Sequence, residues 1–213
     1  MITTAPAFAG VAMLINMAPG PDTLLVVRTS VAQGRPVGLA AALGIVTGCV
    51  GWGIATAVGL TAVLTASHLA YDTLRICGAA YLVHLGATAL WRSRRPAGPE
   101  PSERTTDPAG RMAAFRRGMG TNLLNPKAGV FYMSLIPQFV PHGAQMFGTT
   151  LLFTAIDVIE LAAWYWLLSG AATALGERIR RPAFHRRLEQ VTGVAFLGFA
   201  ASLLTDRAQR LGS

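Results

Sequence analysis

The sequence predicts an all-α membrane protein of about six transmembrane helices. Apolar residues make up 52% of the 213 positions and charged residues only 13%, more apolar surface than a soluble shell of polar residues can cover. The chain also contains long stretches without Asp, Glu, Lys or Arg, at 1–21, 36–67, 76–91, 128–156, 161–176 and 190–205. With their flanks, these stretches match the roughly 20 residues that cross a bilayer.

The predicted helices leave almost no room for a separate domain, so residues 1–213 are expected to form a single transmembrane domain. We place the helices at 5–28, 37–64, 70–91, 113–140, 147–175 and 187–205. Residues 92–112 include the stretch PAGPEPSERTTDPAGR, whose Pro, Gly and charge content predicts a cytoplasmic linker. The linker separates a first half, 5–91, from a second half, 113–205.

The two halves show weak internal similarity. RICGAAYLVHL at 75–85 resembles QVTGVAFLGFA at 190–200, and PGPDT at 19–23 corresponds to LNPKA at 124–128. Because three crossings is an odd number, related halves must enter the bilayer with opposite orientations, as in the inverted repeats of transporters. Chance similarity between apolar segments remains the alternative for the first of these matches.

The second predicted helix contains small residues at the spacing that lets two helices approach closely. They form the motifs Gly44xxxGly48 and Ala55xxxGly59. We expect these positions to serve packing between helices and no direct chemistry.

The distribution of basic residues predicts the orientation in the membrane, because Lys and Arg accumulate in cytoplasmic loops. Arg28 and Arg35 are assigned to the first loop, and further arginines cluster around 92–117 and 178–187. Both termini are therefore expected outside, with helix 1 retained because no basic region precedes it. The net charge of +8 does not indicate nucleic-acid binding, since the basic residues are not gathered on one face.

Proline predicts a break in helix 1 and another in helix 4. It removes a backbone donor and clashes with the preceding turn, so irregular backbone at membrane depth is expected where it can line a cavity. The sequence after each break resembles a helix start, because Pro suits the first helical position and Asn suits the cap. The residues of the two breaks are Pro19, Gly20, Pro21 and Pro126.

Asp22 and Lys127 follow the two breaks and pair an acid with a base in the repeat alignment. The partial positive charge of a helix N-terminus stabilises Asp22, whereas Lys127 requires an acid or a ligand carboxylate. Lys127 is the one lysine among 18 Lys and Arg residues. Lysine can lose its proton when desolvated and arginine cannot, which favours a titrating or ligand-binding role. Snorkelling, or purely structural pairing with Asp22, is the alternative.

Further polar residues surround the same breaks or lie within helix 5. Asn16, Asn122 and Asn125 could hydrogen-bond the backbone groups of an amino acid, or could satisfy the unwound backbone. Asp157 and Glu160 are three residues apart and are expected on one helical face. Two close carboxylates in apolar surroundings do not both ionise easily, which makes them candidate proton carriers. A helix end facing water is the alternative for this pair.

Three motifs carry a family resemblance: PGPDTLLVVRTSVAQGRPVGLAAALGIVTG at 19–48, GAAYLVHLG at 78–86 and GMGTNLLNPKAGVFYMSLIPQFV at 118–140. They resemble the homoserine/threonine exporter family, the RhtB branch of the LysE amino-acid exporter superfamily. The resemblance implies proton-coupled efflux of threonine, homoserine, homoserine lactone, leucine or related compounds from a bacterial plasma (inner) membrane. Asp22, Asn125, Pro126 and Lys127 carry over from the family motifs, whereas Asp157 and Glu160 match none.

The resulting hypothesis is a secondary exporter, not an enzyme, that needs no cofactor. Asp22 attracts the substrate ammonium, while Lys127 and the adjoining helix terminus receive its carboxylate. The expected partners are the amino-acid substrate, protons and the lipid bilayer, with a homo-oligomer left open.

Two other classes of protein use small helical membrane scaffolds. A membrane thiol-disulfide electron-transfer protein needs a reactive cysteine pair. Cys49 and Cys77 lie in different predicted helices without CxxC spacing, so buried inert thiols are expected. A metal-ion transporter needs clustered His, Asp or Cys ligands, which the sequence pattern does not indicate.

Overall fold

The computed structural model describes residues 4–66, 73, 80, 83–84, 87–88, 90–91, 110–141, 144–174, 190 and 194. Throughout this part of the chain the secondary structure is helical, without strands. The predicted helices at 70–91 and 187–205, most of the linker at 92–112, and Cys77 lie largely or wholly outside the described residues. Most residues of the two similar segments, 75–85 and 190–200, therefore also lie outside the described residues.

The first predicted helix is broken where the prolines indicated. Helix α1 (Thr4–Met17) and helix α2 (Pro21–Gln33) meet at an angle of 58°. Gly20 is extended and Pro21 is the first residue of α2, a position at which the missing N–H of proline costs no hydrogen bond. The interruption in helix 1 is thus confirmed.

Helix α2 ends later than the predicted limit of residue 28, which corrects the assignment of the first loop. Arg28 lies on α2 and Arg35 is the first residue of helix α3 (Arg35–Ala66). Only Gly34 joins the two helices, with a φ of 87° that glycine adopts without a steric penalty. The Arg35 guanidinium lies over the Trp166 ring, 4.8 Å from its centroid, which fixes the start of α3 against the last long helix.

The fourth predicted helix is divided into several pieces. Helix α4 (Arg111–Leu123) stops before the Asn125–Pro126 motif, and helix α5 (Pro126–Val130) follows it. A π-helical segment (Phe131–Leu135) and helix α6 (Ile136–Phe139) complete this region. The break at Pro126 is confirmed, whereas the π-helical segment was not anticipated. Helix α7 (Met146–Ala174) agrees with the prediction of 147–175 to one residue at each end.

Several of the described helices have the length and composition of membrane-spanning segments. Residues Arg35–Gly59 of α3 and the whole of α7 each qualify as a span, and α1 with α2 qualifies as a third when the bent pair is taken as one. Within the described ranges the chain therefore contains two or three candidate spans.

Close contact between α3 and α4 depends on glycine. A Cβ atom on Gly44 would collide with the carbonyl oxygen of Phe115, and one on Gly118 would collide with that of Ala41. A Cβ on Gly48 would lie 2.6 Å from Asn122 Oδ1. The packing role of Gly44xxxGly48 is confirmed. At the second motif, nothing described lies within 4 Å of a Cβ on Gly59, so a packing role for Ala55xxxGly59 stays a prediction.

Gly44→Ala is expected to destabilise the protein, although alanine favours a helix more than glycine does. The added methyl group forces α3 and α4 apart, and overpacking of this kind costs about 1–3 kcal/mol. Each kcal/mol corresponds to roughly 2–4 °C in a chain of this size. Thermal unfolding in detergent should show the loss for Gly44→Ala and no loss for Gly59→Ala on the same helix. Equal melting temperatures would contradict this packing.

Aromatic rings hold the first half of α1 against α7 and α6. Phe8 stacks on Phe153 with 4.7 Å between ring centroids, and meets Phe139 edge-on at 5.4 Å. Pairs in these geometries stabilise by about 0.5–1.5 kcal/mol beyond the area that they bury. Helix α1, held in this way, ends at Met17. In space, its last turn lies beside the second break, because Lys127 contacts it there.

Candidate functional site

The two helix breaks meet at one cavity in the centre of the described bundle. Its volume is about 40 Å³, room for roughly three water molecules. Six of the polar residues singled out in the sequence line it: Asn16, Asp22, Asn122, Asn125, Lys127 and Asp157. Gly20 from the first break also lines it. The breaks therefore form part of the cavity wall, which is where irregular backbone at membrane depth is expected.

Asp22, in the first turn of α2, is held through one of its two carboxylate oxygens. Oδ2 accepts hydrogen bonds from Asn122 Nδ2 at 2.9 Å and from Asn125 Nδ2 at 3.1 Å. The other oxygen, Oδ1, is buried and has no hydrogen-bond partner among the described residues. A buried acceptor without a partner is costly, so this oxygen is suited to a donor that enters the cavity.

The two asparagines come from the two sides of the second break. Asn125 caps α5, because its Oδ1 accepts from the Lys127 backbone N–H at 3.0 Å, and its amide holds Asp22. Asn122 ends α4 and also donates to the Cys49 sulfur at 3.3 Å. Its own Oδ1 is buried without a partner in the described part of the chain and lies against Gly48 of α3.

Lys127 satisfies the broken end of α1 and forms no ion pair with Asp22. Its Nζ donates to the carbonyl oxygens of Ile15 at 2.8 Å and Ala18 at 3.2 Å. Carbonyls in the last turn of a helix lack intrahelical partners and carry partial negative charge, so they favour a cation. An ammonium has three donors, and these two bonds leave the third available to a ligand.

Asp157 differs from Asp22 because both of its oxygens are occupied. Oδ1 accepts from Asn16 Nδ2 at 2.8 Å and Oδ2 accepts from the Tyr132 hydroxyl at 2.6 Å. The side chain is only 1% exposed. Glu160 does not line the cavity, and its Oε2 is buried without a partner among the described residues. The two carboxylates of α7 thus occupy different surroundings.

Sequence reasoning did not single out several residues that line the cavity, notably Tyr132 and Tyr165. Tyr165 had a signal, since Asp157, Leu161 and Tyr165 recur every four residues and therefore share one face of α7. Tyr132 had none beyond its place in the motif GVFYMSL, because the π-helical segment sets its direction.

The described residues also bear on the two other classes of protein. Cys49 is a buried free thiol that lines the cavity, while Cys77 lies outside the described residues. No group of three or more His, Cys, Asp or Glu that could hold a metal occurs within the described ranges. This part of the chain therefore offers neither a cysteine pair nor a metal-ligand set.

Broken helices around a charged central cavity are typical of membrane transporters. Residues 13–207 match the LysE type translocator family, and the chain belongs to that family. It is accordingly a multi-pass membrane translocator.

Several curated proteins are similar along most of their length. A leucine efflux protein from Salmonella typhimurium (strain LT2) is 30% identical over 196 residues, which cover 91% of each chain. A leucine efflux protein from Enterobacter sp. (strain 638) is 28% identical over 200 residues and 90% of each chain. An uncharacterized membrane protein from Vibrio cholerae is 29% identical over 206 residues, 95% of this chain and 97% of its own. No solved structure matches the chain.

Proposed function

We propose that the protein is a secondary active exporter of amino acids or their derivatives, in the homoserine/threonine exporter branch of its family. The observation that carries the proposal is that one cavity contains an acceptor and a cation. The acceptor is Asp22 Oδ1, which is buried without a partner among the described residues, and the cation is the Lys127 ammonium. The relatives named leucine efflux proteins support amino acids as the substrate class. Threonine, homoserine and leucine-like compounds are the substrates to test first, and homoserine lactone, which has no free carboxylate, tests the proposed contact with Lys127.

An amino acid at neutral pH matches the charges and donors of this cavity. Its ammonium donates to Asp22 Oδ1, a buried acceptor without a partner among the described residues. Its carboxylate accepts the third N–H of Lys127, beside the N-terminus of α5. Because the substrate is a zwitterion, it adds no net charge to the cavity, and both of its charged groups gain a partner that offsets desolvation.

The proposed architecture is six transmembrane helices in two inverted repeats, 5–91 and 113–205, within a single domain. The interruptions at Pro21 and Pro126 support it, since paired broken helices at the repeat interface form the binding site in transporters of this kind. Alternating access then moves one repeat against the other around the cavity. Both termini are proposed to lie outside a bacterial inner membrane, with linker 92–112 in the cytoplasm.

Export is proposed to be coupled to proton entry through Asp157. Asp157 is a carboxyl group buried in the cavity wall with the Lys127 ammonium. It can bind a proton without being open to the water on both sides of the membrane. Glu160 lies one turn further along α7 and remains a predicted second carrier between Asp157 and one side of the membrane.

Efflux from cells loaded with dipeptides tests the proposed function. Hydrolysis of the peptide raises the internal amino acid, and overexpression should accelerate its release whereas deletion should slow it. The panel comprises threonine, homoserine and leucine, followed by the other amino acids and homoserine lactones. Unchanged release of every compound would contradict the proposal. A Cys77→Ala variant with full efflux would in addition exclude a thiol-disulfide mechanism, which requires both cysteines.

A further inference from the structure

We propose that Asp157, Tyr132 and Asn16 form a proton-sensitive latch that ties the broken end of α1 to the π-helical segment. Tyr132 acts in it as a positioning residue. This inference rests on the proposed function, because it assigns to Asp157 the means by which proton binding alters the substrate site. Together these three residues make up the Asp157 latch.

The latch joins three separate elements through one buried carboxylate. Asn16 stands in the last turn of α1, Tyr132 in the π-helical segment and Asp157 in the middle of α7. The two hydrogen bonds to Asp157 measure 2.8 Å and 2.6 Å. Tyr132 and Asp157 are each 1% exposed, so the contact between them is shielded from bulk solvent.

The π-helical segment directs Tyr132 towards Asp157. Such a segment widens the helical turn by one residue and so changes the direction of the side chains within and after it. Single π-helical turns occur frequently at functional sites. Here the segment begins immediately after α5, which carries Lys127, so the tyrosine and the lysine belong to one continuous helical stretch.

The protonation state of Asp157 decides how strongly the latch holds. The carboxylate accepts from both donors, and hydrogen bonds to an ionised group are roughly twice as strong as neutral ones. A protonated carboxyl group becomes a donor at one oxygen, whereas the Asn16 amide N–H can only donate. Proton binding therefore weakens the attachment of α1 to α7.

The latch is connected to the substrate site through adjacent residues of α1. The side chain of Asn16 bonds Asp157, while the carbonyl of Ile15 accepts from Lys127 Nζ at 2.8 Å. A movement of this turn consequently changes the contacts of the ammonium that is proposed to hold the substrate carboxylate. Proton binding and substrate release are thereby linked without direct contact between proton and substrate.

Other titratable groups that line the same cavity act on Asp157 as well. From the neighbouring helices and its own helix these are Asp22, Cys49, Lys127 and Tyr165, with Glu160 one turn further along α7. A variant that tests the latch must leave all of them in place. Tyr132→Phe keeps all of them in place, but the Tyr132 hydroxyl also contacts the Cys49 thiol. Asn16→Leu, which removes no hydrogen bond of Cys49, is therefore the primary variant.

The experiment measures opening of the substrate-free protein as a function of pH. In a Cys77→Ala background Cys49 is the remaining cysteine, because the chain has two, and it lines the cavity. Its rate of modification by a small thiol reagent is recorded from pH 5 to pH 9, a range of about four units around neutrality. Ser134→Ala, which removes a hydroxyl from the same π-helical segment, is the matched control, and division of every rate by that of the denatured protein at the same pH removes the intrinsic pH dependence of the thiol.

We expect Cys49 to become more accessible as the pH falls and Asp157 takes up a proton. Without the Tyr132 hydroxyl the carboxylate loses a stabilising donor, so opening in Tyr132→Phe should occur at higher pH than in the control. The expected displacement is about one pH unit, a tenfold change in proton concentration. Asn16→Leu removes the other donor and should displace the profile in the same direction.

Coincident profiles for Tyr132→Phe, Asn16→Leu and Ser134→Ala would overturn the latch. So would a loss of amino-acid binding in Tyr132→Phe at high pH, since it would mean that the tyrosine acts on the substrate. Asn16→Leu carries the test if Tyr132→Phe does not insert. Because the thiol measurement needs no substrate, the latch can fail while efflux is demonstrated, and efflux can fail while the latch is observed.

Discussion

Asp22→Asn is expected to abolish export while the protein still inserts and folds. The asparagine oxygen can accept from Asn122 and Asn125 as Oδ2 does now, so the framework of the cavity is kept. Its amide nitrogen then stands where Oδ1 meets the substrate ammonium, replacing a charged acceptor by a donor. Removal of one partner from a buried ion pair costs about 3–5 kcal/mol, or roughly a hundredfold to a few thousandfold in affinity.

Asp107→Asn provides the matched control for Asp22→Asn. It makes the same chemical change in the predicted cytoplasmic linker and should leave efflux and binding unchanged. Membrane abundance and melting temperature of both variants should stay close to those of the parent protein. Full efflux by Asp22→Asn at equal abundance would refute the role assigned to this carboxylate.

Lys127→Met is expected to have an effect of similar size on export, with an added loss of stability. The substrate carboxylate loses its cationic partner, and the Ala18 carbonyl loses its donor, whereas the Ile15 carbonyl keeps its bond from the Ala18 N–H. Each buried acceptor left without a partner costs about 1–3 kcal/mol. Efflux should therefore disappear, and the melting temperature in detergent should fall.

Lys127→Arg separates charge from geometry at the same position. Arginine keeps the positive charge, but its planar fork is larger and its donors are fixed in one plane. Because the ammonium must serve two carbonyls and a ligand at once, we expect Lys127→Arg to retain stability better than Lys127→Met and still fail to export. Efflux at the parental rate in either variant would contradict the proposed contact with the carboxylate.

The helix breaks could be predicted because their causes are local. Proline cannot donate to the helix at its own position, and Asn125 is a suitable cap for the helix that Pro126 begins. The structure has interruptions at both points and brings Asp22 and Lys127 to one cavity. The end of α2 at 29–33 was missed, because Arg28 at the end of an apolar run looks like a loop boundary.

The partners of the charged residues could not be predicted, because they depend on distant parts of the chain. Lys127 bonds carbonyls more than a hundred residues away, at 109 and 112 positions, and backbone carbonyls carry no sequence signal. The contact between Asp157 and Asn16 spans 141 positions. Asp157 and Glu160 are three residues apart on α7, and Asp157 lines the cavity whereas Glu160 does not; a joint role in proton transfer stays a prediction.

Binding of chemically altered amino acids to the purified protein tests the central claim most directly. The amino acid released in the efflux assay is compared by calorimetry with its N-acetyl and carboxamide derivatives, each of which removes one charge. A cavity with an acid and a base predicts that the zwitterion binds and that both derivatives lose at least about a hundredfold in affinity. Equal affinity for the zwitterion and either derivative would mean that Asp22 and Lys127 do not recognise the substrate.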